Sequence, residues 1–199
     1  MRQIILIGFS TTGKSTLIEK VACKFPHRKK FDTDEEIAIP YDKSIANIYY
    51  SNTKLADSHK LIQRLEENIL QSLKISCDNL IIAAGPGIPL KKSFPDYILS
   101  KKPHVVILEK PAEKIYESLV ERRNNMKKES KHNRPDFGIW DIGVMVNNEL
   151  VEYSMEEAIQ KIQLLLDERQ EFYYKYATLK INSIDIFNDN LPDALLDII

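Results

Sequence analysis

A three-layer α/β fold, with a mainly parallel sheet covered by helices on both faces, is predicted by three features of this 199-residue chain. Short, continuous apolar runs recur at Gln3 to Phe9, Asn79 to Ala84 and His104 to Leu108, as expected of strands buried on both faces. Amphipathic helical patterns separate these runs, which is the order of repeated β-α-β units. Glycine-bounded turns, Gly8 to Gly13 and Gly85-Pro86-Gly87, stand at the carboxyl ends of the first two runs, where open α/β sheets bind ligands.

The elements follow in order. After the first strand, Lys14 to Phe25 has Leu17, Ile18, Val21 and Cys23 at spacings that suit a helix packed on the sheet, and Pro26 ends it. An extended piece follows at about Lys30 to Asp34. Lys43 to Tyr50 has helical spacing at Ile45, Ile48 and Tyr49, and a stronger amphipathic pattern runs from about Asp57 to Leu73. Pro111 opens a helix that reaches Arg123. Residues 124 to 153 carry no readable element. A long helix is expected over about Met155 to Tyr176, a last strand over Thr178 to Ile181 and a docked helix within Leu191 to Ile199. The length suits one domain over residues 1–199.

Composition excludes several function classes. With 28 basic and 29 acidic side chains the net charge is −1, which gives no electrostatic case for nucleic acid. The apolar run at Ile4 to Ile7 is too short for a signal peptide, and no window approaches the roughly 18 apolar residues of a membrane span. A cytoplasmic protein is the simplest reading. Cys23 and Cys77 stand far apart, so buried thiols in a reducing compartment are expected. His27, His59, His104 and His132 lack zinc-ligand spacing, and neither a dinucleotide G-x-G-x-x-G nor a hydrolase G-x-S-x-G is present. Arg122 to Arg134 holds six basic residues against Glu129, which reads either as a solvated face or as a basic flap that closes over an anion.

Gly8-Phe9-Ser10-Thr11-Thr12-Gly13-Lys14-Ser15 matches G-x-x-x-x-G-K-[ST] between a buried strand and a helix. The glycines let backbone N–H groups turn inward around phosphate oxygens, and the helix N-terminus adds its positive dipole end. Thr11, Thr12, Gly13, Lys14, Ser15 and Thr16 are therefore the expected nucleotide site, with Lys14 on the β- and γ-phosphates and the Ser15 hydroxyl on Mg²⁺. Phe31-Asp32-Thr33-Asp34 falls where a second strand ends beside the first. If that segment stays extended, its two carboxylates point the same way and divide the work between metal and acceptor hydroxyl.

Together, Gly8 to Thr16 and Phe31-Asp32-Thr33-Asp34 resemble shikimate kinase, a small P-loop kinase family related in fold to nucleoside monophosphate kinases. The resemblance implies a five-stranded parallel sheet flanked by helices, a helical acceptor region at about 34–75 and a lid at about 122–153. It implies ATP as co-substrate with Mg²⁺, Asp32 on the metal through water, and Asp34 gripping the acceptor hydroxyls and taking the proton. Ile45-Ala46-Asn47-Ile48-Tyr49 is similar to the family's I-x-x-I-F helix, and Arg64-Leu65-Glu66-Glu67 to its R-x-x-E, whose arginine binds the acceptor carboxylate. Arg169-Gln170-Glu171-Phe172-Tyr173 followed by Ala177 resembles a second signature whose arginine grips the same carboxylate. Asn133-Arg134-Pro135 matches the lid sequence whose arginine folds onto the transferring phosphate, and Arg122 sits where the family stacks an arginine on adenine.

Departures accompany these matches. Gly85-Pro86-Gly87 replaces three glycines whose amides contact substrate, and Pro86 has no N–H to donate. Asp136-Phe137 replaces two lid leucines, and Gly138 to Glu152, with Trp140, have no counterpart in the family pattern. The expected function is ATP-dependent phosphorylation of the 3-hydroxyl of shikimate by a cytoplasmic monomer with no nucleic-acid or membrane partner. Two other readings stay open: a kinase for another hydroxy acid, a gluconate-like polyol or a nucleotide, and a catalytically weakened nucleotide-binding regulator.

Overall fold

A computed structural model of the chain describes residues 2–41, 55–129, 143–146, 149–183, 186 and 191–199. Five parallel strands form the central sheet: β1 (Ile4–Ile7), β2 (Lys29–Asp32), β3 (Leu80–Ala83), β4 (His104–Glu109) and the last strand (Leu179–Asn182). Their spatial order is β2, β3, β1, β4 and the last strand. All four pairings are parallel, with Ile5 opposite both Ile82 and Val105. The helices that join them are α1 (Lys14–Lys24), α2 (Thr33–Ala38), α3 (Leu55–Ile75), α4 (Phe94–Lys101), α5 (Ala112–Glu129) and α6 (Met155–Tyr176).

Alternation along β1 divides the core into two layers. Ile4 and Leu6 join Leu17, Ile18 and Val21 of α1 on one face, together with Leu195 of the C-terminal helical turn. Ile5 and Ile7 join Leu70 and Leu73 of α3, Phe94 and Tyr97 of α4 and Tyr173 of α6 on the other. Leu70 is fully buried, so Leu70→Ala is expected to cost about 3 kcal/mol of stability by lost burial and a residual cavity. Chemical denaturation should show this as a lower midpoint at an unchanged slope.

Several boundaries differ from the sequence expectation for local reasons. The extended piece stops at Asp32, because its carboxylate accepts from the Asp34 backbone N–H and caps α2. Asp34 therefore sits in a helical first turn. Cys23 and Cys77 are exposed rather than buried. Cys23 lies two residues beyond buried Val21, about 200° around α1, and Cys77 falls in the turn after α3. Helix α4 was not anticipated, and α5 continues through the basic run to Glu129. Within the unreadable stretch, β5 (Gly143–Val146) pairs antiparallel with β6 (Glu149–Glu152), and Glu152 ion-pairs with Arg123 of α5. The expected helix at Lys43 to Tyr50 lies outside the described residues. So do Arg134 and Trp140.

Candidate active site

The turn after β1 has a conformation that few side chains tolerate. Gly8, Thr11 and Gly13 all have positive φ, at 142°, 60° and 90°. A side chain on Gly8 would begin 2.6 Å from the Leu108 carbonyl oxygen of β4, so the loop lies directly on the neighbouring strand. Lys110, at the end of β4, donates to the Thr11 carbonyl at 2.9 Å and to Ser118 Oγ at 2.6 Å, propping the strained residue from behind. Thr12 Oγ1 donates back to the Phe9 carbonyl at 2.9 Å. Helix α1 then starts at Lys14 with no side-chain cap and no acidic residue in its first turn. Its N-terminus is left positive and open. Thr11 Oγ1 is buried without a hydrogen-bond partner among the described residues.

Lys14 folds back across this loop, donating to the carbonyls of Gly8 at 3.0 Å and Phe9 at 2.7 Å. Burial lowers its pKa to about 8, against the opposing pull of Asp34 and Asp32. A phosphate group in the loop would supply the missing counter-charge. Ser15 Oγ donates to Asp32 Oδ2 at 2.6 Å. With Oδ1 capping α2 and Oδ2 on Ser15, Asp32 joins the start of α1 to the end of β2. Among the described residues no group of three or more His, Cys, Asp or Glu could hold a metal. A cation held by Ser15 and Asp32 would take its remaining ligands from phosphate oxygens and water, as Mg²⁺ commonly does.

Asp34 reaches the same place by a different route. Its carboxyl is pushed up to about 6, first by burial and then by Asp32, while the charges of Lys14 and Arg122 oppose the rise. Oδ1 lies 2.5 Å from where a Gly85 side chain would begin. A side chain at this position would push that carboxylate aside. The Gly85 N–H is itself committed, donating to Thr33 Oγ1 at 2.7 Å. As Pro86 has no N–H, the expected amide contact from Gly85 is not available, and Gly87 alone of the three can offer one. Gly85→Ala should fold, since it displaces only a side-chain end, but should lower kcat about 100-fold by moving Asp34 off its position. Steady-state kinetics beside a thermal melt would check both halves.

The two arginines expected to bind the acceptor carboxylate are placed differently. Arg169 lies on the same stripe of α6 as buried Ile162 and Tyr173, seven residues after one and four before the other. Its guanidinium stacks 5.0 Å from the Phe9 ring centroid. Tyr173 donates to the Pro86 carbonyl at 2.9 Å, tying α6 to the turn. Arg64 is exposed and lies about 200° around α3 from both Ile62 and Glu66. The structure thus leaves Arg64 off the helix face that meets the site. Arg122 is exposed on α5 with its charge felt by Asp34. Ser15 and Thr16 are exposed at the helix start.

Glu66 is the residue that the sequence reading passed over. It is 7 % exposed, sits against Gly87 and pairs with Lys91 at 2.5 Å. The signal was its place in the apolar stripe, four residues after Ile62 and four before Leu70.

A family model described as shikimate kinase matches residues 10–188. The chain belongs to the shikimate kinase family. A shikimate kinase of Caldanaerobacter subterraneus is 26% identical over 186 residues, covering 93% of this chain and 88% of that protein. One from Azobacteroides pseudotrichonymphae is 33% identical over 89 residues, which is 45% of this chain and 49% of its relative. A Helicobacter hepaticus relative shows the same identity over 90 residues and 50% of its length, so these two matches span about half of each relative. The shikimate kinase fold is also found in a solved structure from Acinetobacter baumannii in complex with shikimate. That structure has a TM-score of 0.63 at 23% identity, covering 98% of this chain and 87% of the other. A second shikimate kinase structure, from Bacteroides thetaiotaomicron, has a TM-score of 0.59 at 17% identity, with 94% and 89% covered. Among the described residues no helix is long and apolar enough to cross a membrane.

Proposed function

We propose that this chain is an ATP- and Mg²⁺-dependent kinase that phosphorylates the 3-hydroxyl of shikimate. One observation carries the reading: the Asp34 carboxyl, pushed up to about 6 and subject to the charge of the phosphate-loop lysine, packs with Oδ1 2.5 Å from where a Gly85 side chain would begin. A general base serves best with a pKa near the working pH, and Asp34 has that property where an acceptor hydroxyl would meet the γ-phosphate.

In the proposed reaction the acceptor carboxylate rests on Arg169. Asp34 accepts the hydroxyl proton as the acceptor oxygen bonds to the γ-phosphorus and the bond to the bridging oxygen breaks, releasing ADP. Lys14 leaves the Gly8 and Phe9 carbonyls for the phosphate oxygens, and Thr11 Oγ1 gains its partner there. Ser15, with Asp32 acting through water, would hold Mg²⁺, which supplies charge to the phosphate oxygens when bound. Arg134 is assigned to the transferring phosphate and Arg122 to the adenine, and Gly85 shapes the acceptor turn. The assignment treats residues 1–199 as one domain with an acceptor region at about 34–75 and a lid at about 122–153. The protein is proposed to be a cytoplasmic monomer engaging neither nucleic acid nor membrane.

A second reading keeps the kinase and changes the acceptor to another hydroxy acid, a polyol acid or a nucleotide. It is favoured by the Gly85-Pro86-Gly87 turn, which offers one amide instead of three, and by the outward placement of Arg64. ADP release with Mg²⁺-ATP and a panel of shikimate, gluconate and nucleoside monophosphates separates the readings. Shikimate-dependent release supports the first and release with another acceptor the second. Nucleotide binding without acceptor-dependent release would leave only a regulator.

A further inference from the structure

The phosphoryl-transfer scheme leaves one buried ion pair without a task. Glu66 and Lys91 meet at 2.5 Å with side chains only 9 % and 12 % exposed. Both had to be stripped of water, a cost that a pair of apolar side chains would avoid. The pair lies at the acceptor turn, where the Glu66 oxygens are 2.6 and 3.2 Å from the position a Gly87 side chain would take.

The groups that face Glu66 define what the pair prevents. Lys91 is its direct partner; Arg169 acts on it as the next cation, and Glu67 as a repelling neighbour. Asp34 and Tyr173 also feel its charge. Glu67 is engaged by the Ser93 hydroxyl. Arg169 stacks on the Phe9 ring, one helical turn before Tyr173. A desolvated carboxylate robbed of its cation draws on the next one near it, and for Glu66 that is Arg169. Tyr173, one turn further along α6, bonds the Pro86 carbonyl beside the Gly87 on which Glu66 packs, which brings this part of α6 to the same turn. An arginine so captured has fewer N–H donors and less net charge left for an incoming carboxylate.

We propose that Lys91 is a positioning residue for the acceptor: by occupying Glu66 it keeps the Arg169 guanidinium free for the carboxylate of the hydroxy acid. The proposal rests on the functional reading above in one respect, that the acceptor carries a carboxylate held by Arg169. It makes acceptor affinity depend on a lysine that never touches the acceptor.

The test is a double-mutant cycle in the full chain, read by KM for shikimate, or for gluconate if that is the acid turned over. Lys91→Met should raise that KM about tenfold or more, with KM for ATP within about twofold, and Lys91→Arg should restore it. Adding Glu66→Gln to Lys91→Met should bring KM back to within about threefold of the starting protein, because the captor is now neutral. A role for Lys91 confined to neutralising Glu66 for stability would also be rescued in the double variant, but would leave the Arg169 Nε–H resonance unmoved in Lys91→Met. Should Lys91→Met alone fail to fold, the comparison of Glu66→Gln with the double variant still decides: the two should differ by less than about twofold. A folded Lys91→Met with unchanged KM, or a double variant as poor as the single, overturns the proposal. The Arg169 Nε–H resonance of ligand-free protein gives a readout without acceptor or turnover: it should shift in Lys91→Met and return in the double variant. If neither acid is turned over by the starting protein, the functional reading fails, and the Arg169 resonance still accepts or rejects the contact between Glu66 and Arg169.

Discussion

Asp34→Asn is expected to lower kcat about 100-fold to 10,000-fold while leaving nucleotide binding within a few-fold of the parent. An amide fills the space beside Gly85 but cannot take a proton from the acceptor. The parent's kcat/KM should rise with pH through about 6 as Asp34 ionises, and this limb should be missing from the variant's residual rate. The same substitution should stabilise the fold. A carboxyl whose pKa is raised from 3.8 to about 6 binds its proton more tightly in the native state than in the unfolded chain. Stability therefore falls as pH rises from about 4 to 6, and the deficit is complete above that range. Removing the ionisable group should recover on the order of 2 kcal/mol at pH 8 and nothing near pH 4. Thermal melts of both proteins at the two pH values would show it. A site that lowers the stability of its own fold is expected where charge is kept ready for a ligand.

Lys14→Ala should cost roughly three orders of magnitude in kcat, about 4 kcal/mol of transition-state stabilisation, with KM for ATP raised as well. The fold should survive. Lys14 makes its two hydrogen bonds to carbonyls of its own loop, and its lowered pKa marks a charge that burial disfavours. The lysine's ammonium is thus positioned for an anion rather than for the native state. Single-turnover kinetics beside a denaturation curve would separate the catalytic loss from any structural one; a variant that retains normal turnover would remove Lys14 from the mechanism.

The sheet and the phosphate loop were legible in the sequence because both are written locally. Ile4 to Ile7 is apolar on every residue, and a strand buried on both faces has no other way to look. Helix α6 begins at Met155 because Ser154 and Glu157 cap it reciprocally, a signal contained in four residues. Asp34 was legible as a residue and not as a conformation: the strand end becomes a helix when Asp32 folds back on the Asp34 amide, and nothing in the D-x-D spacing distinguishes the two. Arg64 and Glu66 show the limit more sharply. A motif match at Arg64 fixes neither the helix phase nor the face, whereas Ile62, Leu70 and Leu73 do, and they turn Glu66 inward and Arg64 out. Lys91 could not be paired with Glu66 from sequence, because 24 residues and the whole of β3 intervene. The hairpin of β5 and β6 escaped because two four-residue strands of mixed composition carry too little periodicity to read.

The central claim is that this site moves phosphate from ATP to a carboxylate-bearing hydroxy acid. Phosphorus-31 NMR of the purified chain with Mg²⁺-ATP and shikimate tests it most directly. A new phosphomonoester signal should grow in step with ADP, be absent without shikimate and be lost in Asp34→Asn. ADP and inorganic phosphate appearing at the same rate with or without shikimate, and no phosphomonoester, would contradict it.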